Sequence, residues 1–353
     1  PWLKCLAEPA RLSGMTPAAP RRPPAAGRKP VVHFLFLATD RLHFQPLWEA
    51  FFRTAPSADR FRLHVHCSQP EACRRNLAAR FRSALVPTVR TEWCVDLVTA
   101  MNALLRAAGA GERSQGVIGA TRDVFAFVSG STVPVKPFGF VYRALASSGP
   151  NSSFCVSPPR QWVYLEPPGG GPEAGVVKHH MWVVLGREHA ARCLLREAWA
   201  WARVPLQKLR GCVCEHWHFL AVYGQLPPGT APQGGGPHLS APVWHALERF
   251  AGGGLQAPAA RWAPGVPRGG VWDMQGRCWT YASWGEQDAP SFAALTQQLL
   301  SHASVDVRRL PALFEHVSLE GLRLLRRSPF LFARKFEENI TSVEPGMSRI
   351  LLG

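Results

Sequence analysis

The sequence has no run of about 18 or more apolar residues, so no stretch of it reads as a membrane-spanning helix. Its nine cysteines, at 5, 67, 73, 94, 155, 193, 212, 214 and 278, include no C-x-x-C spacing, which removes the usual zinc and thiol-redox patterns. The glycines form no G-x-G-x-x-G and no Walker A loop, and no serine sits in a G-x-S-x-G elbow, so the common nucleotide and hydrolase fingerprints are missing. No D-x-D triplet is available to hold a divalent ion against phosphates; Glu286-Gln287-Asp288 is the nearest approach. Acidic side chains are scarce, 24 against 40 basic ones, and lysine supplies only six of the basic set. The resulting net charge of +16 is therefore carried by arginine, whose planar fork matches phosphate oxygens. These arginines are scattered rather than run together, as a solvated face or an anionic ligand would each allow, and no nucleic-acid recognition motif accompanies them.

What is present is a 353-residue chain, 46% hydrophobic, long enough for one large core or two ordinary ones. Val124, Phe125, Ala126, Phe127 and Val128 form a continuous apolar run, the pattern of a strand buried on both faces of a mainly parallel sheet. Ser129, Gly130, Ser131 and Thr132 follow at once, and Pro134 is expected to block further strand before a short helix near Phe138. In open α/β sheets ligands sit outside the carboxyl ends of strands, which makes this corner a candidate site wall. Upstream, Val31–Leu37 and Phe61–Cys67 read as strands, 41–52 and 93–108 as amphipathic helices, and 81–86 as a short extended piece. Strand, helix, strand, helix, strand is a βαβ rhythm.

Beyond Ser147 the pattern loosens. Residues 147–176, 225–240 and 252–270 read as Gly- and Pro-rich loops. Strands are expected at 181–185 and 277–284, and helices at 187–203, 215–223, 291–302 and 305–325. Residues 1–30, rich in Pro, Ala and Arg, read as a disordered basic stem, leaving 31–353 as one domain. The chain begins at Pro1, so a targeting signal is expected upstream of it. Asn151-Ser152-Ser153 and Asn339-Ile340-Thr341 fit the glycosylation acceptor pattern, which points to the secretory pathway, where some of the cysteines would pair.

Cys212, Cys214, Glu215, His216 and His218 crowd into seven residues. The spacing does not suit a metal site, because i,i+2 side chains on a helix point apart. Glu215 reads either as a general base at a helix start, with His216 beside it, or as a capping residue among packed aromatics. Arg334 and Lys335 lie between aromatics in SPFLFARKF, and Arg277 opens a strand; these could clamp a diphosphate or serve as surface charges.

Taken in order, these pieces resemble the core-2/I-branching glycosyltransferases, glycosyltransferase family 14, and most of all its plant and algal branch. The resemblance runs from about Val31 to Phe336. It rests on FLFLATDRLHFQPLWEAFF, LHVHC at 63–67, FRSALVPTVRTEW at 81–93, FAFVSGSTVPVKPF, VKHHMW with VVLGREHA, Cys214-Glu215-His216-Trp217, Arg277 to Trp284, and SPFLFARKF. The chain departs from the family at Thr132, at His179-His180, which replace Gly-Ser, and at Cys214, which replaces Asp.

The resemblance implies an α/β fold, a GT-A-like Rossmann-type α/β/α sandwich with a mixed, mostly parallel sheet. Its halves would be 31–146 for nucleotide and 147–353 for acceptor. It implies an inverting, metal-independent transfer of N-acetylglucosamine or a related sugar from a UDP-sugar to a glycan or glycoprotein hydroxyl, with no cofactor beyond the donor. Glu215 would be the base; Arg277, Arg334, Lys335 and His66 would hold the donor; Ser131, Thr132, Trp182 and His216 would face the acceptor. It also implies a type II Golgi membrane protein with its catalytic part in the lumen and its anchor outside this sequence. The alternative on the same fold is an inactive carbohydrate- or nucleotide-binding protein; nucleic acid is not an expected partner.

Overall fold

The structure is a computed structural model, and its description covers residues 29–111, 122–147, 152–157, 163–165, 174–202, 204, 206, 209, 211–223, 278–283, 290–306, 311–337 and 344–353. The elements along the chain begin with β1 (Val32–Ala38), α1 (Gln45–Arg53), β2 (Phe61–Cys67), α2 (Pro70–Asn76), α3 (Ala79–Arg82), α4 (Val98–Ala107), β3 (Val124–Ser129), β4 (Val133–Pro134) and α5 (Phe138–Ser147). They continue with β5 (Val163–Leu165), β6 (Ala174–Val176), β7 (Val184–Gly186), α6 (Arg187–Leu195), α7 (Glu197–Trp201), α8 (Trp217–Tyr223) and β8 (Thr280–Ala282). The last are α9 (Pro290–Leu300), β9 (Ala303–Asp306), β10 (Leu313–Val317), α10 (Leu319–Arg327), β11 (Phe332–Arg334) and α11 (Glu344–Leu352).

Unbroken apolar strands need cover on both faces, and the central sheet has it. Its order is β2-β1-β3-β7, with β1 parallel to both β2 and β3, and β7 antiparallel to β3. Because successive side chains of a strand point to opposite faces, β1 and β3 each divide between two cores. Val32, Phe34, Phe36, Val124, Ala126 and Val128 enter one apolar cluster with α1, α5 and the C-terminal elements. Leu35, Phe125 and Phe127 enter the other, with α4, α6 and α8. Trp48 sits in the first cluster, fully buried, its ring against Phe34, Phe36, Phe51, Phe52 and Phe332 and its Nε1 donating to the Thr132 carbonyl at 2.9 Å. The helix carrying Trp48 opens with Pro46 in its first turn, where the missing N–H costs nothing.

The fold is α/β with a mostly parallel central sheet, consistent with the GT-A-like architecture that the motifs imply. Several local expectations change. Pro134 does not end the strand signal: it lies in β4, whose partner is β11, with Phe332 opposite Pro134 and Ala333 opposite Val133. A proline fits there because the pairing is two residues long. The helix expected from 93 starts at Val98, since 93–95 turn, Cys94 adopts φ 65 and Trp93 remains 70% exposed. The extended piece at 81–86 begins as α3, and only Leu85 bridges to β2, through Val65. The helix expected over 187–203 breaks at Arg196 into α6 and α7. The stretch 147–176 contains the antiparallel pair β5 and β6. The long helix expected over 305–325 is a hairpin, β9 with β10, followed by α10. Leu313, Phe314 and Val317 are buried there by tertiary packing, which a helical spacing in sequence imitates. The loops expected at 225–240 and 252–270, and the stem at 1–28, lie outside the described residues.

Candidate active site

The turn after β3 is made rigid by its own hydroxyls. The Ser129 amide donates to Thr132 Oγ1 at 3.1 Å, Ser129 Oγ lies 2.8 Å from Thr132 Oγ1, and it lies 3.2 Å from Ser131 Oγ. A Cβ on Gly130 would come within 2.8 Å of the Arg41 carbonyl oxygen, so only glycine lets the turn close on the 39–43 loop. Two strands then deliver side chains to this corner. The β3–β7 register, with Ala126 opposite Val184 and the Phe127 amide bonded to the Val183 carbonyl at 3.1 Å, brings Trp182 to the carboxyl end of β3. The β4–β11 register brings Arg334 beside Thr132, and the parallel β8 aligns Ala282 with Arg334.

Arg334 and Trp182 meet there. The guanidinium carbon stands 4.4 Å from the indole centroid, a cation–π stack, and both side chains are about 95% covered. Among the described residues, the buried donors Arg334 Nε and Trp182 Nε1 find no acceptor. Burial lowers the Arg334 pKa to about 10, against the opposing pull of the Glu215 charge.

Glu215 closes the other side. It ends a 3-10 turn, Val213–Glu215, whose first amides it helps satisfy: Cys212 N–H donates to Glu215 Oε2 at 3.2 Å. Lys178 Nζ stands 3.5 Å from the same oxygen. Burial raises the Glu215 pKa above the ordinary carboxylate value, and Lys178, the Cys212 amide and Arg334 pull the other way without cancelling it. Gly211, at φ 111, has no room for a side chain, since a Cβ would lie 2.4 Å from Glu215 Oε2 and 3.1 Å from Lys178 Nζ. The Cys94–Cys212 disulfide pins this turn to the loop before α4, and Cys155–Cys278 pins the approach to β8. Cys67–Cys73 joins the end of β2 to α2, while Cys193 and Cys214 are free and buried.

Of the residues read from the sequence, Glu215, Arg334 and Trp182 thus converge, and Ser131 lines the turn beside them. Lys335 follows Arg334 directly, its carbonyl accepting from Phe314 N–H. His66 is buried near the end of β2, where its Nε2 accepts from the Val89 amide at 3.2 Å and desolvation lowers its pKa. Three acceptor expectations change in character. Thr132 is fully buried and spends its hydroxyl on the turn. His216 is fully buried. Trp182 stacks on Arg334 and is 6% exposed, so it offers little free ring for a sugar. Arg277 lies outside the described residues. Two participants were not assigned a role in the sequence: Lys178, whose partner is 37 positions away, and Gly211, which carries no side chain to read. The only advance signal for Gly211 was its place directly before Cys212.

Residues 32–165 match the Branch family, Core-2/I-Branching enzyme. No curated protein matches the chain. The family's enzymes are glycosyltransferases that transfer N-acetylglucosamine. The matched segment holds β1 to β3, the 129–132 turn and α5, and it ends before Trp182, Glu215 and Arg334. Among the described residues no group of three or more His, Cys, Asp or Glu side chains is arranged to hold a metal ion.

Proposed function

We propose that this chain is an inverting glycosyltransferase that moves N-acetylglucosamine or a related sugar from a UDP-sugar to a glycan or glycoprotein hydroxyl without a divalent metal. The supporting observation is the pairing at one corner of a buried carboxylate, Glu215, with a buried guanidinium, Arg334, whose Nε finds no acceptor among the described residues. Glu215 takes the proton of the acceptor hydroxyl as its oxygen attacks the anomeric carbon. The bond from that carbon to the diphosphate breaks, and UDP leaves with the electron pair. A carboxylate whose pKa is raised by burial suits the first task. Arg334, with Lys335 and Arg277, neutralises the charge growing on the diphosphate. Orphan N–H donors in a buried site suit an oxygen-rich ligand that supplies the missing acceptors. His66 and Ser131 stay assigned to donor and acceptor respectively.

The reading places the protein in the lumen of the secretory pathway, in the Golgi, held by an anchor outside this sequence. Three disulfides among the described residues and two acceptor sequons agree with an oxidising compartment. No helix among the described residues is long and apolar enough to cross a membrane.

The deciding experiment is UDP release from a panel of UDP-sugars, with parent and Glu215→Gln proteins compared. The glutamine keeps shape but cannot accept a proton, so turnover should fall about a hundredfold or more while UDP affinity stays near the parent's. Turnover within a few-fold of the parent would remove Glu215 as base. Activity should also persist in EDTA; loss on chelation, restored by manganese, would overturn the metal-free reading.

A further inference from the structure

A second basic site lies away from this corner, where α10 and α11 come together. Arginines that look scattered in LEGLRLLRR and SRILL are gathered by the fold around a cavity of about 480 Å³, lined by Arg323, Arg326, Arg327, Arg349 and Ile350. The bland role for arginines at helix ends is to satisfy the last carbonyls and complement the dipole. Here that role is already filled. Lys136 Nζ donates to the carbonyls of Arg326 and Ser328, and Ser328 returns its amide to Leu324 O at 2.9 Å and its hydroxyl to Leu325 O at 2.6 Å. At the end of α11, Arg326 Nη1 donates to the Ile350 carbonyl at 2.6 Å, and Gly353 N–H bonds Arg349 O.

The remaining positive charge is underpaired. Glu320 is shared by two arginines, at 3.1 Å from Arg323 and 3.6 Å from Arg327. The Arg349 side chain is exposed and makes no hydrogen bond or ion pair among the described residues. The charge behind the cavity is felt by Lys136, whose pKa falls to about 8, mainly through burial and then through Arg326. Among the described side chains, four guanidinium groups and one carboxylate gather at an open recess on two packed helices, with Arg323, Arg327 and Arg349 reaching solvent.

The geometry points to a binding site for a multiply charged oxyanion, a phosphate or sulfate group, held by Arg323, Arg327 and Arg349 with Arg326 at the back. Bidentate guanidinium contacts match such groups, and two helices fix their spacing. The phosphate can come from a small molecule or from a lipid headgroup, and the test separates the two.

Binding of inorganic pyrophosphate and of inorganic sulfate would be measured by titration calorimetry on the whole chain at fixed ionic strength. Cosedimentation would use phosphatidylcholine vesicles with and without phosphatidic acid. Every protein would carry Arg334→Ala, so that the donor corner does not contribute. Against that background the Arg323→Ala/Arg349→Ala change should weaken pyrophosphate binding at least about tenfold, the loss expected from a charge-assisted hydrogen bond. Arg349→Glu, at an exposed position that leaves the fold alone, should do the same. Pyrophosphate binding that these changes abolish, with no vesicle binding, assigns a soluble ligand; vesicle binding that they abolish assigns a headgroup. Absence of any binding, or affinity unchanged in both variants, overturns the proposal.

Discussion

Glu215 is held by three things at once: the Cys212 amide and Lys178 on one oxygen, and the absence of a side chain at Gly211. The last is the easiest to perturb. Gly211→Ala puts a methyl within 2.4 Å of that oxygen on a backbone at φ 111, which L residues avoid. We expect about 1–3 kcal/mol of lost stability from the strained backbone, seen in a denaturant titration. Turnover should fall while UDP affinity stays level, because the proposed role of the displaced group is toward the acceptor. A variant with parental turnover would mean that the carboxylate's position is not tuned by this contact. The pH profile offers a second check. The proposed base, Glu215, would act ionised and burial raises its pKa, so the acidic limb of kcat/KM should lie above the ordinary carboxylate range. A limb at the ordinary value would place the working group in water.

At the scale of elements, the 3-10 turn bearing Glu215 is three residues long and runs through His216 into α8. Its anchor is covalent: Cys212, its N-cap, is bridged to Cys94 across 118 positions, and Val213 N–H adds a bond to Cys94 O at 3.1 Å. Removing the bridge by Cys94→Ser/Cys212→Ser should cost about 2–5 kcal/mol of stability, since the closed loop is long. It should also reduce turnover more than it weakens UDP binding. A stable variant of parental activity would show that packing alone holds the turn. This dependence explains what the sequence made legible. The β1, β2 and β3 strands could be read because buried parallel strands announce themselves as local apolar runs. Glu215 and Arg334 could be read because each sits in a compact motif. The β9–β10 hairpin could not, because residues 303–317 mix exposed and buried positions that only the pairing explains. The burial of Thr132 and His216 was equally invisible, since a hydroxyl or imidazole looks the same in sequence whether it faces ligand or core. The cavity of arginines depends on two helices some twenty residues apart in the chain meeting side by side.

At the scale of the molecule, several histidines among the described residues are desolvated in or beside the central sheet, and that governs its response to acid. His33 on β1, His180 beside β7 and His218 on α8 are held to pKa values of about 3, and His64 and His189 to about 4, in each case mainly by desolvation. His179 is fully buried and lies well below its ordinary value for the same reason, with its Nε2 accepting from the Phe219 amide at 3.3 Å. All these groups bind protons more readily in the unfolded chain, where the ordinary value is 6.5. Their contribution is therefore complete above pH 6.5 and is lost as pH falls towards the folded values. Each fully buried one removes about 1.4 kcal/mol per pH unit in that window, less for those near the surface. Glu215, with its raised pKa, has the opposite sign, but its contribution is lost as pH rises from 4.5 through its folded value, and one carboxylate does not offset several imidazoles. With typical domain stabilities of roughly 5–15 kcal/mol, the folded state should weaken steeply between pH 6.5 and about 5. Thermal melts across that range are the measurement, made on the parent and on His218→Phe. That substitution keeps an aromatic ring between Phe127 and Trp217, whose centroids lie 5.7 and 5.0 Å from the His218 ring, and it removes one titrating group. The parent Tm should drop through the window and the variant should lose less. A Tm that stays level from pH 6.5 to 5 would mean that these imidazoles reach water in the folded protein, and the two-sided burial of the sheet would have to be redrawn around them.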